Sequence, residues 1–384
     1  MRKICVITGS RAEYGLLSGL MRAICEDADL QLQIIATNMH LSPEFGLTFR
    51  EIEKDGFTID KKVEMLLSSD TANATAKSVG LGTIGFADAY DDLKPDMIVV
   101  LGDRYELLAA VSTALFYKIP VAHLHGGEIT EGAYDDCIRH AITKMSHLHF
   151  TSTEEYRNRV IQLGEQPDRV FNVGAIGIEN IKKISLMSKW ELEESIGFEL
   201  GDKCLLVTYH PVTLGKSTAE EQSRNLLAAL DQYQDYHVIF TMPNSDTNGR
   251  IIMQEIEKYV EKNKGRAVAF KSLGLKRYLS ALQYVSAVVG NSSSGIIEVP
   301  SFGIPTLNIG DRQKGRIAAE SVVHCGITLD EMMSGFQKLL SVDHRMLSKR
   351  CINPYEQQNT TSKILQIIKE YPIINLIQKS FYNM

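Results

Sequence analysis

The chain has 384 residues, 44% of them hydrophobic and 23% charged, with a formal net charge of −6. That length is too great for one ordinary core and suits two domains of about 150–200 residues each. The mildly acidic balance argues against a general nucleic-acid binder, which carries a basic face, but leaves room for a locally positive phosphate site.

The N-terminus runs Met1-Arg2-Lys3 straight into Ile4-Cys5-Val6-Ile7. Four apolar residues are too few for a signal-peptide core, and no stretch nears the roughly 20 needed to span a bilayer. The six cysteines (Cys5, Cys25, Cys137, Cys204, Cys325, Cys351) form no CxxC pair and read as reduced thiols. The expectation is a cytoplasmic protein without membrane or nucleic-acid partners.

Ile4–Thr8, Leu32–Thr37, Met97–Leu101, Val121–Leu124, Leu148–Ser152 and Val170–Val173 each read as a strand. They are rich in Val and Ile and lack polar alternation, so both faces should be covered by helices. The segments between them are long enough for crossover helices, and the stretch Tyr90–Pro95 looks like a helix end with a Pro stop. A more polar stretch follows Gly177. The rhythm then restarts with Cys204–Tyr209, His237–Thr241, Ala267–Phe270, Ala287–Gly290 and Thr306–Ile309. This predicts an α/β protein with two Rossmann-like doubly wound domains, 1–175 and 202–360, joined by a hinge over 176–201. The tail 361–384 has apolar residues at helical spacing and is expected to pack back on the first domain. Two such halves make a natural ligand cleft.

In this architecture ligands bind at the carboxyl ends of the strands, and the chemically interesting residues fall in those loops. Thr8–Gly15 follows the first strand; its small residues let a ligand approach, and Arg11 can reach a phosphate. It is not GxGxxG, so no dinucleotide fingerprint is read. Asp103, Arg104 and Glu106 sit together after the third strand. His125, Gly126, Gly127 and Glu128 follow the next, and Asp135, Asp136, Arg139 and His140 open the helix beyond. An ordinary helix cap would account for Asp135 or Asp136. Even so, this is a dense acid–base set, and crowded carboxylates push each other's pKa values apart. A metal held by His125, Glu128 and Asp136 is the rival reading, though the spacing matches no established motif. In the second half, Pro211 fixes the chain as it leaves the strand and aims His210 at the ligand side, where it joins the catalytic candidates. Gly290-Asn291-Ser292-Ser293-Ser294-Gly295 can cradle a phosphate, with Glu298 one turn inside the following helix to accept from ribose hydroxyls. Arg316, in the basic loop 310–316, can clamp a diphosphate. Asn244, after the strand His237–Thr241, completes the binding set.

Taken in order, TGSRAEYG, Met39-His40, LGDRYE, HGGE, DDCIRHAITKMSHLH, TSTEEYRNRVIQLGE, His210-Pro211, GNSSSG and GDRQKGR make the chain resemble a known family over nearly its whole length. It is similar to the hydrolysing UDP-N-acetylglucosamine 2-epimerases of bacterial sialic acid synthesis. The resemblance implies a GT-B fold and elimination of UDP to a 2-acetamidoglucal, followed by hydration to N-acetylmannosamine. It implies no metal or redox cofactor and a homo-oligomer, dimer or tetramer. By motif, Arg11, Ser292, Ser293, Glu298 and Arg316 contact UDP. Asp103, Glu128 and Asp135 match acidic positions proposed for proton transfer, and Arg139, His210 and His40 match positions that hold substrate or phosphate. Many relatives have Glu where this chain has His125, which leaves His125 itself a candidate for the base. The alternatives are a hydrolysing epimerase acting on UDP-N,N′-diacetylbacillosamine, a GT-B glycosyltransferase, and a UDP-sugar-binding regulator without catalysis. The density of ionisable residues at strand ends speaks against the last.

Overall fold

The computed structural model describes residues 1–69, 71–212, 218–243 and 248–384. It divides into two compact units. The first comprises Met1–Glu128, Asp135–Lys182 and Tyr355–Met384; the second comprises Ile129–Tyr134 and Lys183–Pro354.

In the first unit the described strands are β1 (Arg2–Thr8), β2 (Leu30–Thr37), β3 (Lys61–Val63), β4 (Met97–Leu101), β5 (Val121–Leu124), β6 (Leu148–Thr151) and β7 (Val170–Asn172). They form one parallel sheet in the order β3-β2-β1-β4-β5-β6-β7. The apolar runs divide between its faces with period two. Ile4, Val6, Met97 and Val99 enter one core, while Cys5, Ile7, Ile98 and Val100 enter the other. Burial on both faces is why these strands lack polar alternation.

In the second unit β8 (Cys204–Thr208), β9 (His237–Thr241), β10 (Ala267–Phe270), β11 (Ala287–Gly290), β12 (Thr306–Ile309) and β13 (Val322–Cys325) form a second parallel sheet, ordered β10-β9-β8-β11-β12-β13. Each sheet reverses its strand order once, between β1 and β4 in the first and between β8 and β11 in the second. Switch points of this kind open a crevice at the carboxyl ends of the two strands concerned. The GSR, GDR, HP and GNSSSG stretches therefore emerge at the two switch points.

Two expectations change in detail. The tail is helical only over Thr360–Glu370, where Ile364 and Ile368 join the core beside Leu17 and Leu20; residues 371–384 leave the helix because Pro372 holds Tyr371 extended, at ψ 129°. The stretch 176–201 carries two helices, Ile176–Lys183 and Lys189–Ile196. Among the described residues no helix is long and apolar enough to cross a membrane.

Candidate active site

At the exit of β1, Ser10 caps the helix Arg11–Glu26, its hydroxyl accepting from the Glu13 N–H at 3.4 Å. Glu13 reaches back, and its Oε2 accepts from the Gly9 N–H at 2.6 Å. Glu106 closes on the same turn: a Cβ on residue 9 would lie 2.4 Å from Glu106 Oε1, so any larger residue would displace the Glu106 side chain. Glu106 is fully buried, accepting from Arg104 Nε at 3.1 Å and from Asn38 Nδ2 at 2.6 Å. Burial, then the neighbouring Glu106 charge, pushes the Glu13 carboxyl up to about 8.

His40 lies beneath this turn, fully buried, with Nε2 3.1 Å from Thr8 Oγ1 and Nδ1 2.8 Å from Thr48 Oγ1. Burial lowers its pKa to about 4, so it is neutral. Arg11 turns to Glu51, with Nε to Oε2 at 2.5 Å.

The exits of β4 and β5 meet at Arg139, which is 1% exposed. This guanidinium bonds Asp103 through Nη2, donates from Nη1 to the Glu128 carbonyl oxygen at 2.8 Å, and lies 3.5 Å from Asp136 Oδ1. Asp136 also approaches His140, at 3.6 Å. Asp135, 6% exposed, opens the helix Asp135–Met145. Within β5, His123 bridges the loop after β4 and the helix Asp135–Met145: Nε2 meets the Gly102 carbonyl at 2.8 Å and Nδ1 meets Thr143 Oγ1 at 3.2 Å. Burial lowers its pKa to about 3.

Glu128 is 1% exposed. Its Oε1 accepts from Ser152 Oγ at 2.7 Å and lies 3.0 Å from His125 Nδ1. His125 has φ of +62°, rare for a side chain with a Cβ, and its N–H donates to the Phe150 carbonyl at 2.8 Å. Among the described residues no three His, Cys, Asp or Glu side chains gather into a cluster fit to hold a metal.

In the second unit Asn291 organises the switch point. Its Oδ1 accepts from the His210 N–H at 2.7 Å and its Nδ2 donates to the His210 carbonyl at 2.8 Å. Gly290 has φ of +136°, and a Cβ there would lie 1.9 Å from the Thr208 oxygen, so β11 can leave the sheet this tightly only through glycine. The Asn291 carbonyl accepts from Gln313 Nε2 at 2.9 Å and Arg312 Nη1 at 3.2 Å, which ties the basic loop to the serine loop. Arg316 donates from Nε to the Ile129 carbonyl at 3.2 Å, within the same unit.

After Ser292 and Ser293 the chain makes only a short helix, Ser294–Ile297, then a 3-10 turn, Val299–Phe302. Glu298 stands at the junction rather than one turn inside a continuous helix, because Pro300 has no N–H to carry the α-helical ladder onward. Asn244 lies outside the described residues.

Some participants were not singled out from sequence. Tyr278 donates from its hydroxyl to Ser294 Oγ at 2.8 Å, but it sits in the amphipathic helix Gly274–Leu282, where an aromatic reads as core. Ser152 closes a strand and resembles an ordinary strand-end residue. Glu13 reads as a first-turn acid, and only the fold reveals its burial beside Glu106.

Comparison with known proteins adds a further line. Residues 22–369 match the family model described as UDP-N-acetylglucosamine 2-epimerase. A Campylobacter jejuni protein named GDP/UDP-N,N′-diacetylbacillosamine 2-epimerase (hydrolyzing) is 44% identical over 384 residues, covering 100% of this chain and 99% of its own. A polysialic acid biosynthesis protein of Escherichia coli is 38% identical over 388 residues, covering 100% of this chain and 98% of its own. The crystal structure of UDP-GlcNAc 2-epimerase from Neisseria meningitidis bound to UDP-GlcNAc shares the fold, with a TM-score of 0.80 over 95% of this chain and 99% of that one, at 17% identity. With a family match across most of its length and relatives this similar end to end, the chain belongs to the UDP-N-acetylglucosamine 2-epimerase family.

Proposed function

We propose that the protein is a hydrolysing 2-epimerase, which releases UDP from a UDP-linked 2-acetamido sugar and yields the free sugar inverted at C2. The observation that carries this reading is the acid–base assembly on the buried Arg139: Asp103, Asp136 and the Glu128 main chain on one guanidinium, at the carboxyl edge of β4 and β5. A glycosyltransferase has no need of it.

The C2 proton is weakly acidic, with no adjacent carbonyl. It becomes removable when the C1–O bond to the diphosphate breaks early and positive charge grows at C1. Loss of that proton and of UDP leaves a C1=C2 double bond. Water then adds its hydroxyl at C1, and a proton arrives at C2 from the opposite face, so one water is consumed per turnover. In this reading Glu128, Asp103 and Asp135 move protons, while Arg104, Asp136 and Arg139 hold them in place. His210, Gly290, Asn291, Ser292, Ser293, Glu298 and Arg316 take UDP, with Arg11 and Asn244 in the same binding set. His40, bonded inside the protein through both nitrogens, serves by holding the turn that carries Arg11.

The sugar is the finer question. The relative at 44% identity favours a 2,4-diacetamido sugar, UDP-N,N′-diacetylbacillosamine. The matched family model favours UDP-N-acetylglucosamine as the second reading. The test is incubation with each nucleotide in deuterated water, without an acceptor. The expected result is UDP together with a free sugar carrying deuterium at C2; UDP release without C2 deuterium sinks the elimination route. The nucleotide turned over faster identifies the sugar. Glu128→Gln should retain UDP binding and lose most turnover, and full activity in that variant removes Glu128 from the reaction.

A further inference from the structure

His125 stands beside Glu128 where a base is needed, and both groups are buried, at 7% and 1% exposure. The hydrogen bonds decide between them. The Ile176 backbone N–H points at His125 Nε2, 3.4 Å away. A backbone N–H can only donate, so Nε2 must present its lone pair. The proton of the neutral ring therefore sits on Nδ1, and Nδ1 faces Glu128 Oε1 at 3.0 Å. The ring has no second lone pair with which to take a proton from a substrate. Glu128 Oε1 meanwhile receives two donors, Nδ1–H and the Ser152 hydroxyl at 2.7 Å.

The backbone supports the same assignment. A left-handed conformation is disfavoured for a non-glycine residue, and such strain persists where surrounding structure imposes it. Here the Phe150 carbonyl imposes it through the His125 N–H, and the left-handed turn carries the ring back onto Glu128 three residues later.

We propose that His125 is a positioning residue: its Nδ1–H, together with the Ser152 hydroxyl, fixes the Glu128 carboxylate for proton transfer, and His125 itself takes no proton from substrate. This rests on the hydrolysing-epimerase reading and deepens it. Charged and titratable groups near the pair include Arg139, which bonds the Glu128 carbonyl, Arg159, which bonds the Gly127 carbonyl at 2.7 Å, and His123, one residue removed in β5.

The test compares His125→Asn with His125→Gln in the full chain. An Asn amide places an N–H close to Nδ1 and tolerates positive φ, whereas a Gln amide lies nearer Nε2. With the nucleotide that the wild type turns over, kcat should fall no more than about tenfold in His125→Asn and at least about 100-fold in His125→Gln, with KM little changed in either. Ser152→Ala, which introduces no backbone strain, should move the acid limb of the kcat–pH profile to higher pH, as should His125→Gln; His125→Asn should not. If His125→Asn is as inactive as His125→Gln, His125 is the base and the proposal is wrong. If both variants stay within about tenfold of wild type, the ring holds nothing and the proposal is equally wrong. A wild type inactive on both nucleotides defeats the hydrolysing reading alone. The tautomer then decides the proposal, read from long-range ¹⁵N–¹H NMR of the free protein: a proton on Nδ1 supports it and one on Nε2 overturns it.

Discussion

The Asn291 side chain makes both hydrogen bonds of a strand pair with the His210 backbone, Oδ1 to the N–H at 2.7 Å and Nδ2 to the carbonyl at 2.8 Å, so one amide joins the exits of β8 and β11. All of these groups are buried. Asn291→Ala should remove both bonds to the His210 backbone, at about 1–3 kcal/mol each. Asn291→Asp should be no better, because a carboxylate oxygen then faces the carbonyl. Chemical denaturation gives the loss, and titration with UDP should show weaker binding in both variants.

Arg139→Lys tests the guanidinium as a fork. Lysine supplies a point charge and cannot serve Asp103, the Glu128 carbonyl and Asp136 together. Turnover should fall by about 100-fold or more. Affinity for UDP should stay within about threefold, since none of these contacts belongs to the serine-loop unit. Steady-state kinetics and calorimetry read the two separately. A loss of UDP affinity equal to the loss of rate would contradict this division.

Glu13 gives a pH signature. Its carboxyl is raised from 4.5 to about 8 by burial and the Glu106 charge, with Arg104 and the Gly9 and Ser10 N–H groups opposing. A raised carboxyl binds its proton more tightly in the folded state. Its contribution to stability is complete below about pH 4.5 and is lost as the pH climbs through about 8. Glu13→Gln mimics the protonated form and removes that slope. The stability difference between Glu13→Gln and wild type, measured by denaturation at pH 5, 6.5 and 8, should grow in favour of the variant. A constant difference would show that Glu13 is ionised throughout.

Glu165 should act in the opposite direction. Burial alone would raise its carboxyl, but His149, Lys144 and Lys379 hold it down at about 2. Lys379 Nζ bonds both carboxylate oxygens, at 2.8 and 2.7 Å, as well as the carbonyls of Lys144 and Ser146, and so ties residues near the C-terminus to the first unit. The stability Glu165 contributes is present above about pH 4.5 and is lost as the pH falls toward 2. Lys379→Met should cost about 3 kcal/mol at neutral pH, the low end for a buried pair because Lys144 and His149 still face Glu165. It should also move the acid unfolding transition to higher pH, and the tail beyond Pro372 should become more open to protease.

The amino-acid sequence by itself determined the class of fold and the edge of the sheets at which chemistry occurs. Runs such as Met97–Leu101 and Ala287–Gly290 are apolar at every position because both faces are covered, so they can be read without any partner. β3 and β13 escaped that reading because they are edge strands with polar residues in short runs, Lys61-Lys62-Val63 and Val322-Val323-His324-Cys325. The continuous helix expected around Glu298 failed locally, at Pro300.

What only the tertiary structure decided is which group faces which. Arg139 meets Asp103 across 36 positions, His210 meets Asn291 across 81, and Ile176 meets His125 across 51. No local periodicity encodes such pairings. They arise when parallel strands bring distant loops to one edge, and there a single backbone N–H, that of Ile176, sets the side of the His125 ring that carries the proton.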